Sequence, residues 1–184
     1  QYLTYGKHNY DLMYERANKR SDGMLIWKMN HENDDTTSCI NGPATVGACY
    51  LAEATGDMSY YEKAKKLYSA WRNSSMYVRE GEEIGHVWDT MHEYWCSTYN
   101  QGTFIGAATM LYEHFGDNSY YEDACNAVNH TMKALCYNNI LIKEDAYITD
   151  NSKMRGILMR YLRKFIVDFN RPEYLSFFRD NAKI

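Results

Sequence analysis

Sliding the sequence along itself by 60 positions brings Gly42 onto Gly102, Ala48 onto Ala108, Leu51 onto Leu111 and Glu53 onto Glu113. The match continues with Gly56-Asp57 on Gly116-Asp117, Ser59-Tyr60-Tyr61-Glu62 on Ser119-Tyr120-Tyr121-Glu122, and Ala64 on Ala124. Eleven of the 23 positions from 42 to 64 are identical, too many for chance. A period of this length denotes one supersecondary unit stacked on copies of itself, because a single unit cannot bury its apolar face alone.

Each unit reads as a helical hairpin. In the second copy Phe104, Ile105, Ala108, Leu111, Tyr112 and Phe115 recur at helical spacing, and Gly116 supplies the left-handed residue that ends a helix. Ser119 with Glu122 has the spacing of a capping box, after which a second helix is expected to bury Tyr121, Ala124, Val128, Thr131 and Leu135. The first copy follows the same logic with Gly56, Ser59, Glu62, Ala64, Leu67, Tyr68 and Trp71. Connections this tight force the paired helices to run antiparallel. A more divergent third unit carries an apolar stripe through Met154, Ile157, Leu158, Tyr161, Leu162, Phe165, Ile166 and Phe169. Pro172 then opens a short helix with Tyr174, Phe177 and Phe178. Residues 2–19 read as the second helix of a further hairpin. The expected fold is all-α: three and a half antiparallel hairpins joined by longer loops near 21–40, 73–98 and 137–151.

Composition excludes several function classes. Lys+Arg number 20 against 24 for Asp+Glu, and 20 − 24 gives a net charge of −4 with no basic run, which argues against nucleic acid as the main partner. No apolar stretch approaches the roughly 18 residues of a membrane span. The chain starts at Gln1 with no charged-then-apolar leader, so no targeting segment is read in it. Five cysteines at irregular spacing, with no CxxC, suggest thiols rather than a disulfide framework. His92 and Cys96 alone stand at i,i+4, too few ligands for zinc, so neither metal nor cofactor is expected.

Long loops at one end of stacked hairpins are where function usually sits. The segment 81–100 holds two Trp, two Tyr, two His and several carboxylates. Aromatic faces beside hydrogen-bonding groups suit a sugar, whose C–H face stacks while its hydroxyls need partners. The alternative is a loop whose aromatics simply close the top of the helical core.

The run Ser97-Thr98-Tyr99-Asn100-Gln101-Gly102-Thr103-Phe104-Ile105-Gly106-Ala107-Ala108, followed by Leu111-Tyr112-Glu113 and Gly116-Asp117, resembles the TYNQG-x-FIGA…LYE-x-x-GD stretch of glycoside hydrolase family 76. Those enzymes are chiefly endo-acting α-1,6-mannanases. Asn41-Gly42-Pro43, Trp88-Asp89, and Arg155-Gly156-Ile157 with Arg160-Tyr161-Leu162 fall in the family's order, so the resemblance covers roughly residues 20–182. Trp88, Met154 and Arg155 depart from the family's usual Tyr, Phe and Lys, which leaves room for a different substrate preference.

The resemblance implies a closed (α/α)6 ring whose sugar groove is lined by inner-helix N-termini and their loops. Six hairpins of about 60 residues need nearly twice this length, so residues 1–184 are expected to be the C-terminal portion of one such domain, with an N-terminal half as its missing partner. An open half ring would expose apolar flanks, and the isolated segment is expected to be unstable or to associate. Retaining glycosidases use two carboxyl groups roughly 5 Å apart. The family's adjacent Asp pair would here lie upstream of Gln1. Asp34-Asp35 is the alternative pair, although a solvated acidic loop explains it as well, and Glu82-Glu83, Glu122-Asp123 and Glu144-Asp145 fit less.

By the same resemblance, Asp89, Trp95, Tyr99, Asn100, Gln101 and Asn41 become the candidate substrate-binding residues. Asp89 could equally be a turn residue capping its own loop, and Thr98-x-x-Gln101 is itself the pattern of a capping box, with Ser38 and Asn41 in the equivalent places one repeat earlier. The expected activity is cleavage of mannan, a poly- or oligosaccharide partner, at a secreted, periplasmic or cell-surface location. The competing reading is a non-catalytic glycan-binding or helical-repeat interaction module of the same fold.

Overall fold

The structure is a computed structural model that describes residues 1–28, 35–92, 95–142 and 151–182. Helices follow the repeat: α1 (Tyr2–Ala17), α2 (Ser38–Thr55), α3 (Ser59–Asn73), α4 (Thr98–Phe115), α5 (Asn118–Ala134), α6 (Asn151–Asp168) and α7 (Leu175–Asn181). Inner helices α2, α4 and α6 lie side by side, each with its partner α3, α5 or α7, while α1 packs against α2. Among the described residues no helix is long and apolar enough to cross a membrane.

The central helix α4 is buried along nearly all of its length, with Thr98 and every residue from Asn100 to Leu111 inside. Two apolar layers meet there. Phe104 receives the stacked ring of Tyr77 at a centroid distance of 4.2 Å and the edge of Trp71 at 4.9 Å. Burial of each such aromatic contributes on the order of 2–3 kcal/mol. Gly42 and Gly102, equivalent in the repeat, explain how inner helices approach so closely. A Cβ on Gly102 would lie 2.6 Å from the Leu158 Cα of α6, and one on Gly42 would collide with the Thr103 side chain of α4.

Gly56 and Gly116 end α2 and α4 at φ 74° and 69°, donating their N–H to Ala52 and Tyr112 as the sequence predicts. The capping boxes, by contrast, do not form. Asp117 is the N-cap of α5 and its Oδ1 accepts from Ser119 N at 2.9 Å; Asp57 does the same for Ser59 N at 3.1 Å. Each Asp lies two residues upstream and reaches the free N–H first, leaving Glu62 and Glu122 exposed. Tyr120 rather than Tyr121 takes the buried position on α5. The loop expected at 137–151 opens with a two-residue hairpin, Cys136–Tyr137 paired to Ile140–Leu141. Asn138 and Asn139 turn it at φ 48° and 66°, the conformation for which Asn is suited. Arg155 of α6 donates to the Ile142 carbonyl at 2.7 Å and so ties the hairpin's end to the third unit. Pro172 opens a 3₁₀ turn ahead of α7, as expected. No disulfide joins the five cysteines; Cys49 is fully buried and the other four are half-buried.

Candidate functional site

Residues 74–92 and 95–97 do not span an open gap between α3 and α4. They fold back on themselves through bridges pairing Tyr77 with Val87 and Trp88 with Cys96, and a third bridge pairs Thr37 with Thr90. The return strand is then fixed from three sides. Trp88 N donates to Met76 O at 2.8 Å, Ser38 Oγ donates to Trp88 O at 2.5 Å, and Ser38 N donates to Asp89 O at 2.7 Å. The Trp71 indole in turn donates to Ser38 Oγ at 2.9 Å. The Trp88-Asp89 turn is therefore held between the N-termini of α2 and α4, the place where inner helices of this arrangement present free N–H groups.

Asp89 and Asn100 come together as a pair. Asn100 Nδ2 donates to Asp89 Oδ1 at 2.8 Å, and the Asn100 backbone N–H donates to its N-cap, Ser97 Oγ, at 3.1 Å. Asn100 is fully buried and its own Oδ1 has no donor among the described residues. Asp89 is half-buried and lines a cleft of about 230 Å³ with Trp27, Asp35, Thr37, Cys39 and His92. Tyr99 lies on an adjoining cleft with Trp27, Cys39, Ile40 and Pro43. Its hydroxyl donates to Cys39 O at 3.5 Å, and burial, with Cys39 and Tyr161 beside it, pushes its pKa up to about 12. Burial also raises the Cys39 thiol, with Asp89 adding to the effect, so both groups are neutral at ordinary pH. Trp95 meets Asp89 through its backbone carbonyl, at 2.9 Å from Asp89 N, and its ring is partly exposed outside both clefts.

Gln101 and Asn41 line neither of these clefts. Both are fully buried and their amides are consumed inside the scaffold. Gln101 Oε1 accepts from Val87 N at 2.7 Å, while Nε2 donates to Gly85 O at 3.2 Å, Ala127 O at 3.1 Å and Thr131 Oγ1 at 3.1 Å. Asn41 Oδ1 accepts from Leu25 N at 3.0 Å, and Nδ2 donates to Thr36 Oγ1 and Thr37 O. One repeat apart, the two amides do the same job, pinning the preceding loop onto the start of an inner helix. The capping-box reading of Gln101 fails as well, because Ser97 rather than Thr98 caps α4.

Trp27 and Cys39, which join the two clefts, were not singled out by the sequence; each carries its message only through tertiary proximity. Of the acidic pairs weighed above, Asp34 and Glu144-Asp145 lie outside the described residues. Asp35 is exposed on the cleft that Asp89 lines, and its carbonyl accepts from Trp27 N at 2.6 Å. Asp123 is a buried structural acid that accepts from Tyr68 at 2.8 Å, from Tyr77 at 3.2 Å and from Arg72. No group of three or more potential metal ligands occurs among the described residues.

Side-by-side inner helices, outer helices behind them and clefts at the inner N-termini define an arc of a helical α/α toroid. The chain belongs to glycosyl hydrolase family 76, whose sequence model matches residues 1–184. A mannan endo-1,6-alpha-mannosidase of Candida glabrata, DCW1, is 25% identical over 153 residues, which is 76% of this chain and 33% of that protein. Among solved structures, the fold is similar to the α-1,6-mannanase GH76A of Salegentibacter sp. HEL1_6, at a TM-score of 0.80 and 30% identity, covering 96% of this chain and 56% of that one. That structure is an inactive variant, with two consecutive aspartates replaced by asparagine, in complex with α-1,6-mannotriose. The family 76 mannosidase Bt3792 of Bacteroides thetaiotaomicron shares the fold at a TM-score of 0.77 and 20% identity, with 95% of this chain on 50% of that one. The chain thus spans about a third to a half of the length of these relatives.

Proposed function

We propose that this chain is the C-terminal portion of a glycoside hydrolase that cleaves α-1,6-linked mannan internally. Its clefts at the α2 and α4 N-termini would form part of the sugar groove. The observation that supports this most is the family match over the whole chain. The Asp89–Asn100 pair fits the same reading: a half-buried carboxylate can accept sugar hydroxyls while one of its oxygens is oriented by the amide. Trp27 supplies an aromatic face beside it. Coverage of about half of each solved relative is consistent with a ring completed by a further stretch of chain, which this reading takes to be an N-terminal half. The Tyr2 and Tyr5 rings, 94% and 60% exposed on α1, fit a helix covered by that half.

In this reading the chemistry is double displacement. One carboxylate attacks the anomeric carbon while the other protonates the leaving oxygen, and water then releases the covalent glycosyl-enzyme with retention. The Asp pair that does this is assigned to the half upstream of Gln1. The residues of this chain bind and orient the sugar. A polymeric substrate of this kind places the protein outside the cell membrane, whether secreted, periplasmic or at the cell surface.

Full-length protein incubated with linear α-1,6-mannan should release short oligosaccharides whose first-formed reducing end is the α anomer, as read by proton NMR. Binding of mannan with no release of reducing ends would instead establish the non-catalytic glycan-binding reading. The β anomer as first product would overturn the retaining mechanism.

A further inference from the structure

His86 and His130 lie deep in the structure, 6% and 5% exposed, and none of their four ring nitrogens has a hydrogen-bond partner among the described residues. Buried polar atoms are ordinarily satisfied, so a facing pair of unsatisfied imidazoles needs a reason. Their position suggests one. The His86 ring lies tilted by 30° against Trp88 at a centroid distance of 3.5 Å and by 33° against the His130 ring of α5 at 4.4 Å. His86 therefore joins α5 to the same return strand that carries Asp89 into the cleft.

The surroundings favour the neutral form of both rings. Burial pulls His86 down to about 4, with His130 as the second cause, and burial lowers His130 as well. Glu83 of the loop favours a charged His130 and Lys133 of α5 opposes it, with the Lys133 ammonium held on the Glu82 carbonyl at 3.0 Å. From α4 the neutral amide of Gln101 reaches Gly85 O and Ala127 O, next to each histidine's own segment.

We propose that His86 and His130 are positioning residues that hold the Trp88-Asp89 turn in the cleft while both are neutral and release it when either takes up a proton. A charged imidazole in this layer has no acceptor among the described residues and must move toward water, which breaks the contact with Trp88. The sign of the coupling follows from linkage. In the unfolded chain a histidine titrates near 6.5, so as pH falls from there toward the folded-state value the unfolded chain binds more protons. Stability is then full above about pH 6.5 and falls by up to about ten-fold in the folding equilibrium per pH unit per histidine.

The test is a proton NMR titration of the full-length protein, wild type and His130→Phe, following the His86 Cε1–H, the Trp88 indole and the Asp89 amide. His86 should titrate at least one unit below 6.5, and the Trp88 and Asp89 signals should shift with the same midpoint. In His130→Phe the His86 midpoint should rise, because the second imidazole, whose protonation would repel a proton on His86, is gone, and the Trp88 response should move with it. Histidines titrating near 6.5, or Trp88 and Asp89 signals that ignore the His86 midpoint, would overturn the proposal. If His130→Phe does not fold, His130→Gln carries the same comparison. This readout needs no ligand and so stands apart from the proposed function. Affinity for α-1,6-mannotriose, which rests on that function, should hold from pH 7 to pH 5 in the wild type and fall around the His86 midpoint, and in His130→Phe the fall should begin at a higher pH; a fall at the same pH in both would count against the pair.

Discussion

Replacing Gln101 with alanine should destabilise the protein by roughly 3–5 kcal/mol, lowering its denaturation midpoint sharply. The side chain links three segments: Oε1 accepts from Val87 N in the loop, and the two Nε2 protons are shared among Gly85 O in the loop and Ala127 O and Thr131 Oγ1 on α5, all anchored from α4. Gln101 is fully buried, so bulk solvent is not at hand to replace these partners. Truncation would strand the Val87 N–H without an acceptor and the Gly85 carbonyl without this donor, each costing about 1–3 kcal/mol, and would leave a cavity beside them. Thr131 Oγ1 still donates to Ala127 O in its own helix, which keeps the expected loss below the simple sum. Equilibrium denaturation checks this. A variant of unchanged stability with lost activity would return Gln101 to the groove and reverse the assignment made here.

Asp89→Ala should act chiefly on function, costing about 1–3 kcal/mol of stability through the stranded Asn100 amide while lowering kcat/KM on α-1,6-mannan ten- to a hundred-fold. The turn is held by main-chain groups, Ser38 N on Asp89 O and Asp89 N on Trp95 O, which alanine keeps. What disappears is the carboxylate that orders Asn100 and, in the proposed groove, accepts sugar hydroxyls. A hydrogen bond to a charged group is worth about 1.5–3 kcal/mol, and that range sets the expected fold-change. Steady-state kinetics beside a denaturation curve separates the two variants: one loses fold, the other function.

The contrast between Gln101 and Asp89 shows where the sequence was legible. The 60-residue period and the glycines at 56 and 116 fixed the hairpins and their ends, because a left-handed cap and an apolar stripe are local signals. The same repeat also paired Asn41 with Gln101 correctly, yet their shared task lay beyond it. Which backbone groups an amide satisfies depends on loops 14 and 16 residues upstream folding back onto the helix start. The caps were misassigned between two residue types that both cap helices, and only the geometry shows Asp117 reaching the N–H before Ser119. Asp123, Trp27 and Cys39 acquire their surroundings from elements distant in sequence, so no spacing rule could have marked them. The Asn138-Asn139 hairpin was read only as part of a loop at 137–151, because strands of two residues are too short to show an alternating pattern.

The claim at the centre of this account is that the glycan sits at the N-terminal ends of α2 and α4, against the Trp88-Asp89 turn. Hydrogen exchange of the full-length protein with and without α-1,6-mannotriose tests it most directly. Slowed exchange within residues 36–41, 86–92 and 97–101 is the expected result, with Asp89→Ala reducing the protection. Protection confined to the groove between α1 and α3, lined by Tyr14, Asp22, Lys65 and Lys66, or none in the α2 and α4 starts, would contradict it.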